Sequence, residues 1–179
     1  TIFNWAERVC VMYKLIPYQK DYAADIAVLS HLAIRNIADD QYSVEETSAW
    51  SFAPRSSYHW HKRLSQSKTW LMIDERIEYA GKPVCCGFIN IETGFASKGY
   101  IDSLYVHPDY QGQGIAKRLY LAIEEWALAQ GYPSLLVDAS KLSKPLFESQ
   151  GFKLRHRSYQ EKRAVIIMGY YMEKTLSQS

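Results

Sequence analysis

The stretch Tyr100-Ile-Asp-Ser-Leu-Tyr-Val-His-Pro-Asp-Tyr-Gln-Gly-Gln-Gly-Ile-Ala-Lys-Arg-Leu119 decides how the chain is read. It opens as an apolar run rich in β-formers, stops at His107-Pro108, passes through a loop holding Gly112 and Gly114, and continues at helical periodicity. A strand, a glycine-containing turn and a helix start in this order form a device for holding phosphate. The first N–H groups of a helix have no intrahelical partner, and the helix dipole adds partial positive charge there. Glycine lets the backbone approach an anion without a Cβ in the way. Two common phosphate loops are excluded: no Lys-Ser or Lys-Thr follows the glycines as a P-loop requires, and the third glycine of the dinucleotide fingerprint is replaced by Lys117.

The 179 residues suit one domain with a full core, and 47% hydrophobic with 22% charged residues fit an ordinary globular chain. The net charge of +2 gives no electrostatic case for nucleic acid or an anionic membrane as partner, and no apolar run reaches transmembrane length. Thr1 to Cys10 lacks a signal-peptide layout and reads as an N-terminal extension (1–10) to a single domain (11–179). Three cysteines, two of them the adjacent Cys85 and Cys86, argue for reduced thiols and a cytoplasmic home.

The segments are read in order. Val11 to Ile16 is a strand stopped by Pro17; Asp21 caps a helix to Arg35 whose inner face is Tyr22, Ile26, Leu29 and Ala33. Ser43 and Glu46 form a capping box for a short helix over Val44 to Trp50, and another helix spans Ser57 to Leu64. Tyr42, Trp50, Phe52, Tyr58 and Trp60 concentrate aromatic surface here, for packing or for a substrate cleft. His59-x-His61 has no further ligands arranged beside it, so no metal is expected. Thr69–Tyr79 and Val84–Ile91 form a hairpin, and Tyr100–Val106 is the next strand. A helix runs from Gly112 to Gln130 with Ile115, Leu119, Ile123 and Trp126 inward and Gly131 closing it; Leu121 and Leu128 lie towards its charged face, as scattered exposed residues or a homodimer contact. Ser134–Ala139 is a strand joined to the preceding one by a helical crossover, hence parallel to it. Leu142–Gln150 is a helix with Pro145 in its first turn, and Phe152–Glu161 with Ala164–Lys174 is a terminal hairpin.

Gln111-Gly112-Gln113-Gly114-Ile115-Ala116 after Leu104-x-Val106-x-Pro108 resembles the acyl-CoA pyrophosphate loop of the GNAT superfamily of N-acyltransferases, pattern Q/R-x-x-G-x-G/A. A second segment, Ser140-x-x-Ser143-x-Pro145-Leu146-Phe147-Glu148-x-x-Gly151-Phe152, resembles the family's stretch after the fifth strand, at the family's usual separation. Asp138-Ala-Ser with Lys144-Pro-Leu-Phe is similar to a poorly characterised bacterial subgroup of acetyltransferases. The element order, strand, two helices, three strands, helix, strand, helix, two strands, matches over about 11 to 174. The resemblance implies an α/β (α+β) GNAT fold: a mixed, mostly antiparallel sheet of about seven strands, a splayed parallel pair of fourth and fifth strands, and about four helices.

It further implies acetyl-CoA as acyl donor, with no metal, and direct transfer to an amine in a ternary complex, the amine being that of a small molecule or of a peptide. Pantetheine would lie along Leu104, Tyr105 and Val106, pyrophosphate on Gln111, Gly112, Gln113, Gly114, Ile115 and Ala116, and Ser143 and Phe147 would face the donor. A backbone N–H near Val106 would serve the developing oxyanion. The family's Tyr that protonates the departing thiolate corresponds to Phe147, which has no proton to give, so either another donor serves, with Ser140, Ser143 and nearby tyrosines as candidates, or the thiolate takes its proton from water. Candidate bases for the ammonium are Asp102, placed by strict alternation on the Leu104 face, and Asp138 at the end of the fifth strand, with Glu92 and His59 behind them. Cys85-Cys86 invites an acyl-cysteine route against the simpler reading of buried strand thiols. Specificity is expected from 36–66 and 157–164. A non-catalytic acyl-CoA sensor on the same fold, or an unrelated nucleotide-phosphate binder, are the alternatives.

Overall fold

Among the described residues seven strands form one mixed sheet, ordered β1-β2-β3-β4-β5-β7-β6. The computed structural model describes residues 12–176, so the 1–10 extension, with Cys10, lies outside the described residues. The strands are β1 (Tyr13–Pro17), β2 (Lys68–Tyr79), β3 (Lys82–Ile91), β4 (Tyr100–Val106), β5 (Ser134–Ala139), β6 (Lys153–Lys162) and β7 (Val165–Thr175). The helices are α1 (Ala23–Arg35), α2 (Val44–Trp50), α3 (Ser57–Ser65), α4 (Ile115–Ala129) and α5 (Lys144–Ser149). Three helices, not two, separate β1 from β2, because both short helix signals are realised. None of the helices among the described residues is long and apolar enough to cross a membrane.

Local chemistry sets most boundaries. Ser43 Oγ accepts from the Glu46 amide at 3.1 Å and Glu46 Oε1 from the Ser43 amide at 2.9 Å, the reciprocal box that starts α2. Asp21 does not cap α1. Tyr22 is buried and its hydroxyl donates to Pro83 O at 2.9 Å, which draws Lys20–Tyr22 into a 3₁₀ turn, and α1 begins after it at Ala23. Pro17 ends no strand early; it pairs with Trp70 as the last residue of the edge strand β1, where its missing N–H can face outward. The first hairpin turns tightly through Ala80 and Gly81, both at positive φ, so its strands reach further than expected.

Two apolar clusters cover the two faces of the sheet. One packs α4, through Ile115, Leu119 and Ile123, on Ile89, Ile101, Leu135 and Val137. Ala127 and Tyr120 are fully buried in it, while Trp126, expected inside, is only partly so. The other packs α1 and α3, through Ile26, Leu29, Trp60 and Leu64, on Leu71, Ile73 and Phe88. Leu121 and Leu128 are exposed. The parallel pair β4 and β5 is short: Tyr100 aligns with Leu136 and Ile101 with Val137, and no pairing continues beyond them.

Candidate active site

The end of that pairing makes the site. From Asp102 onward β4 diverges from β5, leaving a slot between the two strand ends. The loop that follows β4 has Gly112 at φ 79° and Gly114 at φ 78°, and nothing lies within 4 Å of where a Cβ would sit on either. Other residues pay a strain at such angles. Gly114 precedes the first turn of α4, which holds no acidic residue. Glycine backbone, open space above it and a fifteen-residue helix starting at Ile115 fit an anionic group. The loop is tied down from below: Tyr13 donates to Gln113 Oε1, and Arg118 Nη2 donates to Tyr13 O at 3.2 Å. Tyr110 donates to Asp74 Oδ2 at 2.9 Å.

Asp74 is fully buried and also accepts from Arg76 Nε at 2.9 Å and from the Arg76 amide at 3.0 Å. Burial pushes its carboxyl up, but the Arg76 and Tyr110 hydrogen bonds outweigh burial and hold it below the usual carboxylate range.

The slot opens, on the face covered by α1 and α3, into a cavity of about 820 Å³ lined by α1, α2, α3, α5, β4, β5 and the β6–β7 hairpin. Asp102 and Asp138 both line it, with Tyr100, Tyr105, Ser140, Ser143 and Phe147. Asp102 does not share the Leu104 face. Asn90 pairs with Ser103 and Ile91 with Ile101, so Asp102 is the extra residue of a bulge. Alternation fails there, and Asp102 turns to the α3 side, where it accepts from Arg63 Nε at 2.5 Å and from Asn90 Nδ2 at 3.4 Å. Leu104 and Val106 pack against the α4 face, while the Tyr105 ring lies with Phe88 on the opposite one. Any pantetheine contact of Tyr105 is therefore through its backbone.

Asp138 has no cationic partner among the described residues. It accepts from Ser158 and, at 2.8 Å, from Gln160 Nε2, both on β6. Gly169 on β7 makes room for this, since a Cβ there would fall 2.9 Å from Ala139 O and 3.0 Å from Asp138 Oδ1. The Tyr100 hydroxyl is pushed up to about 12, first by burial and then by the negative charges of Asp138 and Asp102, so it stays protonated. Tyr105 is likewise pushed up to about 12 by burial. Phe147 is buried edge-on against Tyr120 and Phe152, with centroids 5.8 and 5.0 Å away. Ser140 and Ser143 bond each other, hydroxyl to hydroxyl at 3.1 Å and each hydroxyl to the other's amide, opening α5.

The remaining candidates fall outside the slot or into other roles. Glu92 does not line the cavity; its carboxyl is raised by burial and by the charge of Asp102. His59 lines it, accepts from Arg55 Nη2 at 3.2 Å, and is lowered by burial and by Arg55 and Arg63. His61 instead bonds Tyr18 at 2.9 Å. Cys85 and Cys86 are buried outside the cavity, and burial pushes both thiols up, Cys86 to about 12, which disfavours nucleophilic thiolate. Sequence reasoning missed Arg63, Ser158 and Gln160. No spacing links position 63 to 102 or 160 to 138; only the naming of 36–66 and 157–164 as specificity segments pointed at them.

Comparison with known proteins agrees with this geometry. Residues 31–152 match the model of the acetyltransferase (GNAT) family. The chain is 30% identical over 155 residues to the uncharacterized N-acetyltransferase YafP of Escherichia coli, covering 87% of this chain and 91% of that one. A GCN5-related N-acetyltransferase from Rhodopseudomonas palustris superposes with a TM-score of 0.77 at 31% identity, over 91% of this chain and 95% of that chain. A phosphinothricin acetyltransferase from Sinorhizobium meliloti, solved with acetyl-CoA, shares the fold at a TM-score of 0.69 and 17% identity, over 92% of this chain and 89% of that one.

Proposed function

Because the chain belongs to the acetyltransferase (GNAT) family, we propose that it moves an acetyl group from acetyl-CoA to the primary amine of a small molecule, directly, in a ternary complex. The observation that carries this is the early end of β4–β5 pairing at Ile101 and Val137. It joins the glycine loop, which suits the donor's pyrophosphate, to a cavity that suits an acceptor. Donor and acceptor held across one slot gain the rate advantage of proximity.

In this reading Gln111 to Ala116 bind the pyrophosphate through backbone N–H groups, and Leu104, Tyr105 and Val106 offer backbone to the pantetheine arm. Phe147 and Ser143 close the far wall. Asp138 takes the proton of the incoming ammonium, because Ser158 and Gln160 orient it without neutralising it. Asp102 is committed to Arg63 and orients the acceptor side. Tyr100, which lines the cavity with both carboxylates, is the proton donor to the departing thiolate in place of the missing tyrosine, with Ser140 next in line. Buried free thiols at Cys85 and Cys86 fit a reducing compartment, and we place the enzyme in the cytoplasm on that ground. Exposed Leu121 and Leu128 on α4 are offered as a homodimer contact.

Phe147 favours a second reading, a non-catalytic acyl-CoA sensor. A panel of primary amines with acetyl-CoA, followed by release of free CoA thiol, separates the two. Amine-dependent release is expected; binding of acetyl-CoA with no turnover of any amine supports the sensor.

A further inference from the structure

The acceptor cavity is polarised. Its lining holds Arg55, Arg63, Lys162 and Arg163 against Asp102 and Asp138. Asp102 is neutralised by Arg63, whereas Arg55, Lys162 and Arg163 have no carboxylate partner among the described residues. These three sit on the segment before α3 and at the β6–β7 turn, which form the outer wall, while Asp138 lies at the inner end beside the slot. Arg163 is held over the Phe52 ring, 4.1 Å from its centroid. Arg55 donates to His59 Nδ1, so neutral His59 carries its proton on Nε2 and is a further N–H donor.

Cationic side chains without a carboxylate partner, with the His59 Nε2–H beside them, match a ligand with negative charge or bare oxygen lone pairs. They do not serve the donor's phosphates, since no residue between Tyr105 and Val137, the pyrophosphate loop included, lines this cavity.

We propose that the acceptor is a small amine carrying its own anionic group, a carboxylate or a phosphate, with that group held by Arg55 and Arg163 and the amine presented to Asp138. A volume of about 820 Å³ admits such a molecule. The proposal rests on the acetyl-transfer reading. It makes Arg55 and Arg163 specificity residues for the acceptor and assigns no bond-making to them.

Matched pairs test it: tyrosine against tyramine, and phosphoethanolamine against ethanolamine, each as kcat/KM with saturating acetyl-CoA. At least one anionic member is expected to exceed its partner by about tenfold or more, and the pair that does so tells carboxylate from phosphate. In the Arg55→Ala/Arg163→Ala double variant that ratio is expected to collapse at least about tenfold, and in Arg163→Glu to fall further, with KM for acetyl-CoA unmoved. Both side chains are exposed, so folding is not at stake. Equal rates within both pairs, or a ratio indifferent to the arginines, overturn the proposal while leaving acetyl transfer standing. If no amine turns over, acetyl transfer fails instead. The anion site is then read by calorimetry of N-acetyltyrosine and N-acetyltyramine binding to the CoA-loaded protein. Preference for the carboxylate form, lost in the double variant, keeps the anion site; absence of preference overturns it.

Discussion

Asp102 and Asp138 are the same residue type, on neighbouring strands, lining the same cavity, yet their surroundings differ. A guanidinium 2.5 Å away engages Asp102, whereas among the described residues the donors that reach Asp138 are neutral ones from β6. Asp138→Asn is therefore expected to lower kcat by about 10²–10⁴-fold, with acetyl-CoA affinity retained. Asp102→Asn should act chiefly on the KM of the amine. Profiles of the two variants with the roles exchanged would reassign the base. Phe147 makes the other residue-level contrast. It is packed at 5.0 Å from Phe152 on a cavity wall, so Phe147→Tyr is expected to fold normally and raise turnover by supplying a hydroxyl. Thermal unfolding and kcat measured together check this, and loss of the fold would contradict the wall placement. Both candidate carboxylates were legible as candidates in the sequence. Their difference was not, because Arg63 and Gln160 reach them from distant positions.

At the scale of elements, the loop into α4 and the bulge in β4 behave differently as sequence signals. Gly112 and Gly114 stand at positive φ above open space, as a strand–glycine loop–helix reading requires. Gly114→Glu is expected to abolish acetyl-CoA binding by adding a side chain and a negative charge where we propose that the pyrophosphate binds. Gly114→Ala supplies the control, since it carries the same backbone strain, about 1–2 kcal/mol, without the charge. Calorimetric titration of both should show weakened binding for Ala and none for Glu, and unchanged affinity in Glu rejects the loop assignment. The bulge left no such mark. Residues 100 to 106 alternate acceptably as written, and only the register against β3 shows Asp102 to be the unpaired one. The Ser43–Glu46 box was readable because both partners lie within one turn, whereas the Asp21 cap failed to a contact from Tyr22 to Pro83, sixty-one positions away.

Across the whole molecule, Asp74 ties β2 to the turn after β4 through Tyr110, and Arg76 extends the link to Tyr13 on β1 at 3.4 Å. Its carboxyl is held below the ordinary value in the folded state, so its contribution is present above the unfolded value of about 3.9 and is lost as pH falls through the folded one. Asp74→Asn is expected to cost about 1–3 kcal/mol at neutral pH and to weaken the acid dependence of stability. Denaturant unfolding from neutral to acid pH measures both, and a variant as stable as its parent at neutral pH would remove this network from the account. Loss of loop support should also weaken acetyl-CoA binding, since Tyr110 and Gln113 are anchored from the same cluster.

The sequence by itself determined most of the strands and helices, the parallel connection of β4 and β5, and the glycine loop that leads into α4. All of these are written in periodicity, caps and glycines within a few residues of one another. The tertiary structure alone decided which way Asp102 faces, that Arg63 engages it, that Ser158 and Gln160 hold Asp138, and that Arg55, Lys162 and Arg163 gather on the cavity lining. Each of these depends on strand register and on segments a hundred positions apart converging on one cavity, and long-range register has no local signature.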